Sequence, residues 1–252
     1  MKPSAKWLKK YEQVKHLLTP ISDLTSYFKD SEIAGMKVAT FSMGKVNFPT
    51  GEILVRDPLV TVSKDSEPYL QKVPAGIYDL QICAVLDEGY PDRYAAAMVA
   101  FSEQEPVKYY EALVGYENLD TVTEEGTFFG FGVDAGLATI MDMKTRDAYV
   151  AFVDKTTGGK GESMDFNMYD DFFKEIFAKS YQDYPEHQRD GGDWINWTIP
   201  DTNLSVPMFQ SGFGDGDYPV YFGYDAKNEV CRVVVHFIDI ATAYSEEEDG
   251  GD

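Results

Sequence analysis

The sequence predicts an α+β fold that is mostly β, with an antiparallel sheet core built as a sandwich or a strongly curved sheet. Three observations predict it. At least eight segments carry strand patterning, only two carry a clear helical period, and the strands follow one another instead of alternating with helices. A parallel doubly wound sheet needs a helix between successive strands, so consecutive strands point to antiparallel pairing. With 252 residues, 44% hydrophobic and 14% aromatic, the chain has a folded composition and enough length for a sizeable core. One globular unit over residues 1–244 is expected.

The first helix is expected over residues 4–18. Trp7, Leu8, Tyr11, Val14, Leu17 and Leu18 recur three or four apart with lysines between them, Ser4 stands at the N-cap and Pro20 ends the run. From Met36 the period changes. Met36–Phe48 and Glu52–Val62 read as strands joined by Pro49-Thr50-Gly51, and Ile77–Leu86 and Arg93–Phe101 as two more around a Gly89–Asp92 loop. Val107–Val114, Thr127–Val133 and the short Tyr149–Val153 are further strand candidates, and Thr156–Gly161 reads as a loop.

Tyr169–Tyr181 is the second helix. Phe172, Phe173, Ile176 and Phe177 make its apolar stripe, and Asn167 or Asp165 is placed to cap it. A polar stretch over residues 182–193 precedes two short strands, Trp194–Ile199 and Leu204–Phe209. The last unit is a hairpin: Pro219–Tyr224, a turn at Asp225–Asn228, then Glu229–Asp239. Its second strand is apolar on both faces, which suits a central position in a sheet. Ser245–Asp252 holds five acidic residues and two glycines and is expected to be a disordered tail.

Forty-three Asp and Glu against 22 Lys and Arg give a net charge of −21. That balance opposes generic nucleic-acid binding, which needs clustered cations along phosphates, and docking on anionic membranes. No run approaches the ~18 apolar residues of a membrane span, and the basic stretch Met1–Pro20 lacks the apolar core of a signal peptide. A cytoplasmic location is expected. Cys83 and Cys231, each within an apolar run, then read as buried reduced thiols. His16 reads as solvated, His187 as a loop residue that needs a nucleophile nearby to act as a base, and His236 as a satisfied core histidine; no pair has metalloprotease spacing.

Four clusters of Gly, Asp and Pro stand out: Gly51 to Pro58 with Asp57, Val73-Pro74-Ala75-Gly76-Ile77-Tyr78, Gly132-Val133-Asp134-Ala135-Gly136 with Asp142 beyond, and Ser211 to Pro219. In this order they resemble the bacterial family named domain of unknown function 4241. Its pattern has an Asp-Pro after a Gly-led strand, a Pro-x-Gly-x-Tyr turn, a Gly-x-Asp-Ala-Gly segment and a Ser-Gly-x-Gly-Asp-Gly-x-Tyr-Pro signature before a final hairpin. The resemblance runs from about Gly51 to Phe237 and leaves out the first helix and the acidic tail. It implies no established activity and no agreed catalytic residues. Some members look like immunity proteins encoded near bacterial toxins, which implies a binding role.

The candidate functional cluster is Asp57, Asp134, Asp142, Ser211, Gly214, Asp215, Gly216, Asp217 and Tyr218. The glycines between Ser211 and Tyr218 permit an anion-binding nest, but Asp215 and Asp217 would repel an anion, so a tight turn whose aspartates cap backbone N–H groups is the plainer reading. Asp57, Asp134, Asp142 and Asp215 would also suit an all-oxygen Mg²⁺ or Ca²⁺ site, with Asp134 and Asp215 as its surest ligands, if they converge in one cleft. Two functions follow. The first is a non-enzymatic binding protein, such as an immunity protein holding a basic toxin through its acidic, aromatic-rich surface. The alternative is a divalent-metal hydrolase on the aspartate cluster. No cofactor is expected for the binding protein; a divalent cation belongs to the hydrolase alternative.

Overall fold

A computed structural model describes residues 2–158 and 166–245. Helix α1 (Ala5–Val14) is followed by strands β1 (Glu32–Ile33), β2 (Met36–Phe48), β3 (Ile53–Arg56), β4 (Gly76–Leu86), β5 (Arg93–Ala100), β6 (Lys108–Glu111), β7 (Phe131–Val133) and β8 (Leu137–Asp142). Helices α2 (Met143–Thr156) and α3 (Lys174–Asp183) come next, the second entered through a π-type turn at Tyr169–Phe173. Strands β9 (Trp194–Thr198), β10 (Ser205–Gln210), β11 (Gly216–Tyr218), β12 (Val220–Tyr224) and β13 (Val230–His236) and the short α4 (Ile240–Ala243) complete the order.

Among the described residues the strands form a curled seven-stranded sheet, β1-β2-β4-β5-β13-β12-β6, a four-stranded sheet, β3-β8-β10-β9, and the pair β11-β7, all antiparallel. The two larger sheets pack face to face. Period-two alternation decides which side chain goes where. Ile53 and Val55 of β3 and Ala138 and Ile140 of β8 enter the core shared with the large sheet. Leu54, Leu137 and Met141 point the other way, onto Tyr149 of α2 and Phe173 and Phe177 beside and within α3. The small sheet is thus a middle layer, which is why all six residues of β8 are buried. Asn196 Nδ2 of β9 donates to the carbonyls of Met43 and Lys45, both at 3.1 Å, where the β2 register shifts, so the two sheets are also tied by hydrogen bonds.

Several expectations hold. β2 spans Met36–Phe48, β13 lies between β5 and β12, and both cysteines are free and buried. Asn167 Oδ1 accepts from the N–H of Tyr169 and Asp170, the expected cap, whereas Asp165 lies outside the described residues. So do residues 159–161 of the expected Gly-rich loop and 246–252 of the acidic tail. α1 stops at Val14 and not at Leu18; its stacked Trp7 and Tyr11 lean on a small cluster around Leu113, Leu119 and Val122. No helix among the described residues is long and apolar enough to cross a membrane.

Three expectations are corrected. Tyr149–Val153 is not a strand but the middle of α2: Asp142 caps the helix by accepting from Lys144 N, and Tyr149, Phe152 and Val153 reach the small sheet at helical spacing. The chain therefore has more than one helix beyond the first. Glu52–Val62 ends as a strand at Arg56, because Asp57 folds the chain into a turn. Pro49-Thr50-Gly51 does not close a hairpin; it carries the chain from the large sheet to the small one.

Candidate functional site

The Ser211–Tyr218 run is a rigid turn. Gly214 N donates to Ser211 O at 2.8 Å, Ser211 Oγ donates back to Gly214 O at 2.8 Å, and Tyr218 Oη sits 3.0 and 2.8 Å from these same two carbonyls. Burial raises the pKa of the Tyr218 phenol, so it remains a hydrogen-bond donor. Gly212, at φ +55°, passes so near β13's exit that an added Cβ would meet Phe237 Cβ at 2.9 Å, which excludes any other residue. The turn pushes Phe213 into solvent with 60% of its surface exposed. Asp217 pairs with Gly132 across β11–β7, and Asp215 Oδ1 accepts from Gly136 N at 3.0 Å. The third and fourth sequence clusters are therefore one structure.

Asp57 belongs to the same structure from beneath. It is fully buried. Its Oδ1 accepts from Leu59 N (2.9 Å) and Val60 N (3.1 Å), and its Oδ2 from Asp134 N (2.9 Å) and Ala135 N (2.7 Å). Asp142 stands at the other end of the β3–β8 ladder, paired with Ile53. It too is buried and spends its oxygens on Lys144 N, Thr50 N, Thr50 Oγ1 and Gly51 N. The four aspartates do not converge as a metal site would require. Two are saturated by N–H donors, whose dipoles repel a cation, and among the described residues no three His, Cys, Asp or Glu side chains group to hold a metal ion.

A cleft with a cavity volume of about 620 Å³ opens where the turn, the Asp134–Gly136 loop, the π-type turn that leads into α3 and the Arg189–Asp193 loop meet. Of the sequence-predicted residues, Asp134, Ser211 and Gly214 line it; Asp57, Asp142, Asp215, Gly216, Asp217 and Tyr218 hold its walls from behind or face away. A family model described as a protein of unknown function (DUF4241) matches residues 46–235. The chain belongs to this family. No curated protein and no solved structure matches it.

The DUF4241 match begins near the end of β2 and ends near the end of β13, so the four-stranded sheet, the cleft and most of the large sheet lie within it, and α1, β1 and most of β2 lie outside. The clusters used to recognise DUF4241 in the sequence are chiefly the turns that assemble the cleft. Sequence reading missed Arg93 and Arg189, which also line it. Neither sits in a motif, and lone arginines carry no spacing signal. Glu111 was missed as well. It is buried, its Oε1 accepts from Phe129 N (2.7 Å) and Gly130 N (2.8 Å), its Oε2 has no partner, and burial raises its pKa to about 7.

The histidines separate cleanly. His16 is exposed. His236 is a buried ring whose Nε2 lies 3.0 Å from Tyr27 Oη, with its pKa lowered to about 4 by burial. His187 stacks on Phe41 and holds Asp92 Oδ2 through Nδ1 at 2.8 Å; no hydroxyl or thiol among the described residues is hydrogen-bonded to its ring.

Proposed function

We propose that this DUF4241 chain is a non-enzymatic binding protein whose contact surface centres on the Ser211–Tyr218 turn, with a basic protein, such as a toxin that it neutralises, as partner. The observation that carries the reading is Phe213: a large apolar ring, 60% exposed, presented by a turn that is already fixed by hydrogen bonds. An exposed aromatic on a rigid support gives up little entropy on binding, which is how interface anchors gain their energy. Asp134 lines the cleft with Phe213, while Asp215 and Asp217 follow in the turn, and all three aspartates are exposed, in a chain of net charge −21. A basic partner would be steered to that surface and docked on the ring. Immunity in particular rests on the family resemblance.

The test is affinity capture from the native host with the wild-type chain, Phe213→Ala and Ile77→Ala, at low and at high salt. Ile77 is 61% exposed in β4 and lies outside the cleft and the turn, so it serves as control. One basic protein should be captured in stoichiometric amount by the wild type and the control, weakly at high salt, and lost with Phe213→Ala. An empty capture at both salts sinks the reading, as does a partner that Phe213→Ala retains.

A further inference from the structure

The cleft beside the turn gathers two arginines in a strongly acidic chain, against the lining carboxylates of Asp134, Asp170 and Asp193. Two of the chain's five arginines, Arg93 and Arg189, line it. Arg189 is fixed: its Nε and Nη2 donate to Asp193 Oδ1 at 2.8 and 2.5 Å, which leaves Nη1 over. The Arg93 guanidinium has no hydrogen bond and no ion pair among the described residues, although acidic residues outnumber basic ones two to one in this chain. Asp87, which acts with Arg93 on the Tyr244 phenol, makes no ion pair with it among the described residues. The Asp92 carboxylate is committed to His187, and the Asp92 carbonyl accepts from Gln210 Nε2 at 3.2 Å, which ties the start of β5 to the cleft wall. Of the acids that line the cleft, Asp193 is paired with Arg189 and Asp170 with Lys174; Asp134 is unpaired. The Gly212 and Phe213 N–H groups, also on the lining, donate to no acceptor among the described residues. Leu59 and Val60 supply an apolar wall, with the buried Leu137 and Phe177 behind the lining.

We infer that this cleft is a binding site for a small molecule carrying one phosphate or carboxylate group on an apolar body, with the anion held by Arg93 beside Arg189. An unpaired guanidinium matches either group through two parallel N–H donors, and backbone N–H groups on a glycine turn extend the same cradle. The body of the ligand lies on Leu59 and Val60. Asp134 sets a limit on the anion's charge, since a second negative group near it is repelled. This site adjoins the partner surface, since Ser211, Gly212, Phe213 and Gly214 line the cleft, but it takes its ligand through the Arg93 guanidinium and not through the exposed face of the Phe213 ring.

The experiment measures thermal shift and calorimetric titration of the full chain with inorganic phosphate, phenyl phosphate, acetate and benzoate, each against sodium chloride at matched ionic strength. The phosphate and carboxylate arms separate the two sources of the anion. The expected result is a saturable shift in one pair, tighter for its aromatic member. Arg93→Gln should weaken it about tenfold, Arg93→Lys less, and Asp134→Asn should tighten it. Lys37→Gln, away from the cleft, should change nothing. Arg93→Lys keeps the charge should the glutamine variant melt low. The inference is overturned if none of the four probes gives a saturable shift beyond the chloride control, or if Arg93→Gln leaves the shift as it was. Arg93→Gln should weaken the probe's shift and leave partner capture unchanged, so the two readings fail separately.

Discussion

Two buried carboxylates hold the two ends of one short strand, and they are finished differently. Asp57 grips the exit of β7 through the N–H groups of Asp134 and Ala135, and fills its other oxygen with Leu59 N and Val60 N. Glu111 grips the entrance through Phe129 N and Gly130 N, but its Oε2 is left bare in the core. Both are less than 2% exposed. Four N–H donors replace the water a carboxylate gives up on burial; two do not, and the Glu111 pKa rises to about 7. The exit is therefore a permanent joint, and the entrance is a joint that changes with pH. The permanent joint is the one beneath the cleft.

Asp57→Ala tests the permanent joint and should have the largest effect. It orphans four N–H groups and frees the Asp134–Gly136 loop, so a loss of about 4–5 kcal/mol in unfolding free energy is expected by urea titration. A loss no greater than about 1 kcal/mol, the usual worth of a single net hydrogen bond, would break the comparison. Any anion binding in the cleft should fall with it, because Asp134 and Ala135 line the cleft.

Glu111→Gln tests the other joint, through the sign of a pH effect. The folded-state pKa, about 7, lies above the ordinary value of 4.5. The folded state therefore holds its proton more tightly than the unfolded state. That contribution is complete below pH ~4.5 and disappears as the pH rises toward 7. Between pH 5 and pH 8 the wild type should lose roughly 2.5 kcal/mol that Glu111→Gln does not lose. Glutamine keeps the acceptor for Phe129 and Gly130 but leaves its amide N–H groups unpaired, so the variant should be the less stable protein at pH 5 and the more stable one at pH 8. Parallel stability profiles for the two proteins would show that Glu111 is no different from Asp57.

What the sequence disclosed divides along the same line. Alternation and turn residues are local, so β2, the β12–β13 hairpin and the Asn167 cap were legible, and so were the glycine turns whose tightness is written in their composition. α2 was not, because Tyr149-Val150-Ala151-Phe152-Val153 has strand propensity and only packing against the small sheet makes it helical. Asp57 and Asp142 were noticed as candidate ligands of a cation, but their chemistry depended on which N–H groups came to meet them. In the sequence Asp57 lies 77 residues from the N–H of Asp134, and no spacing rule reaches that far. Arg93 and Glu111 were invisible for the same reason: one is notable for the partner it lacks, the other for a single empty oxygen.

The smallest expected effect belongs to Tyr218→Phe, and it sharpens the comparison because the turn hangs from both joints. Asp215 ties it to Gly136 at the Asp57 end. At the Glu111 end, β11 pairs with β7, and Gly130 comes so close that an added Cβ would stand 2.5 Å from Tyr218 O. Losing one hydroxyl shared between the Ser211 and Gly214 carbonyls should cost about 1 kcal/mol of stability. The cost to partner capture should exceed that. Phe213 sits between those two carbonyls, and a turn that must be reordered on binding pays entropy that the wild-type turn has already paid. Equal losses in stability and in partner affinity would mean that Tyr218 merely fills space; a larger loss in affinity, with stability nearly kept, would mean that the turn is held rigid for Phe213.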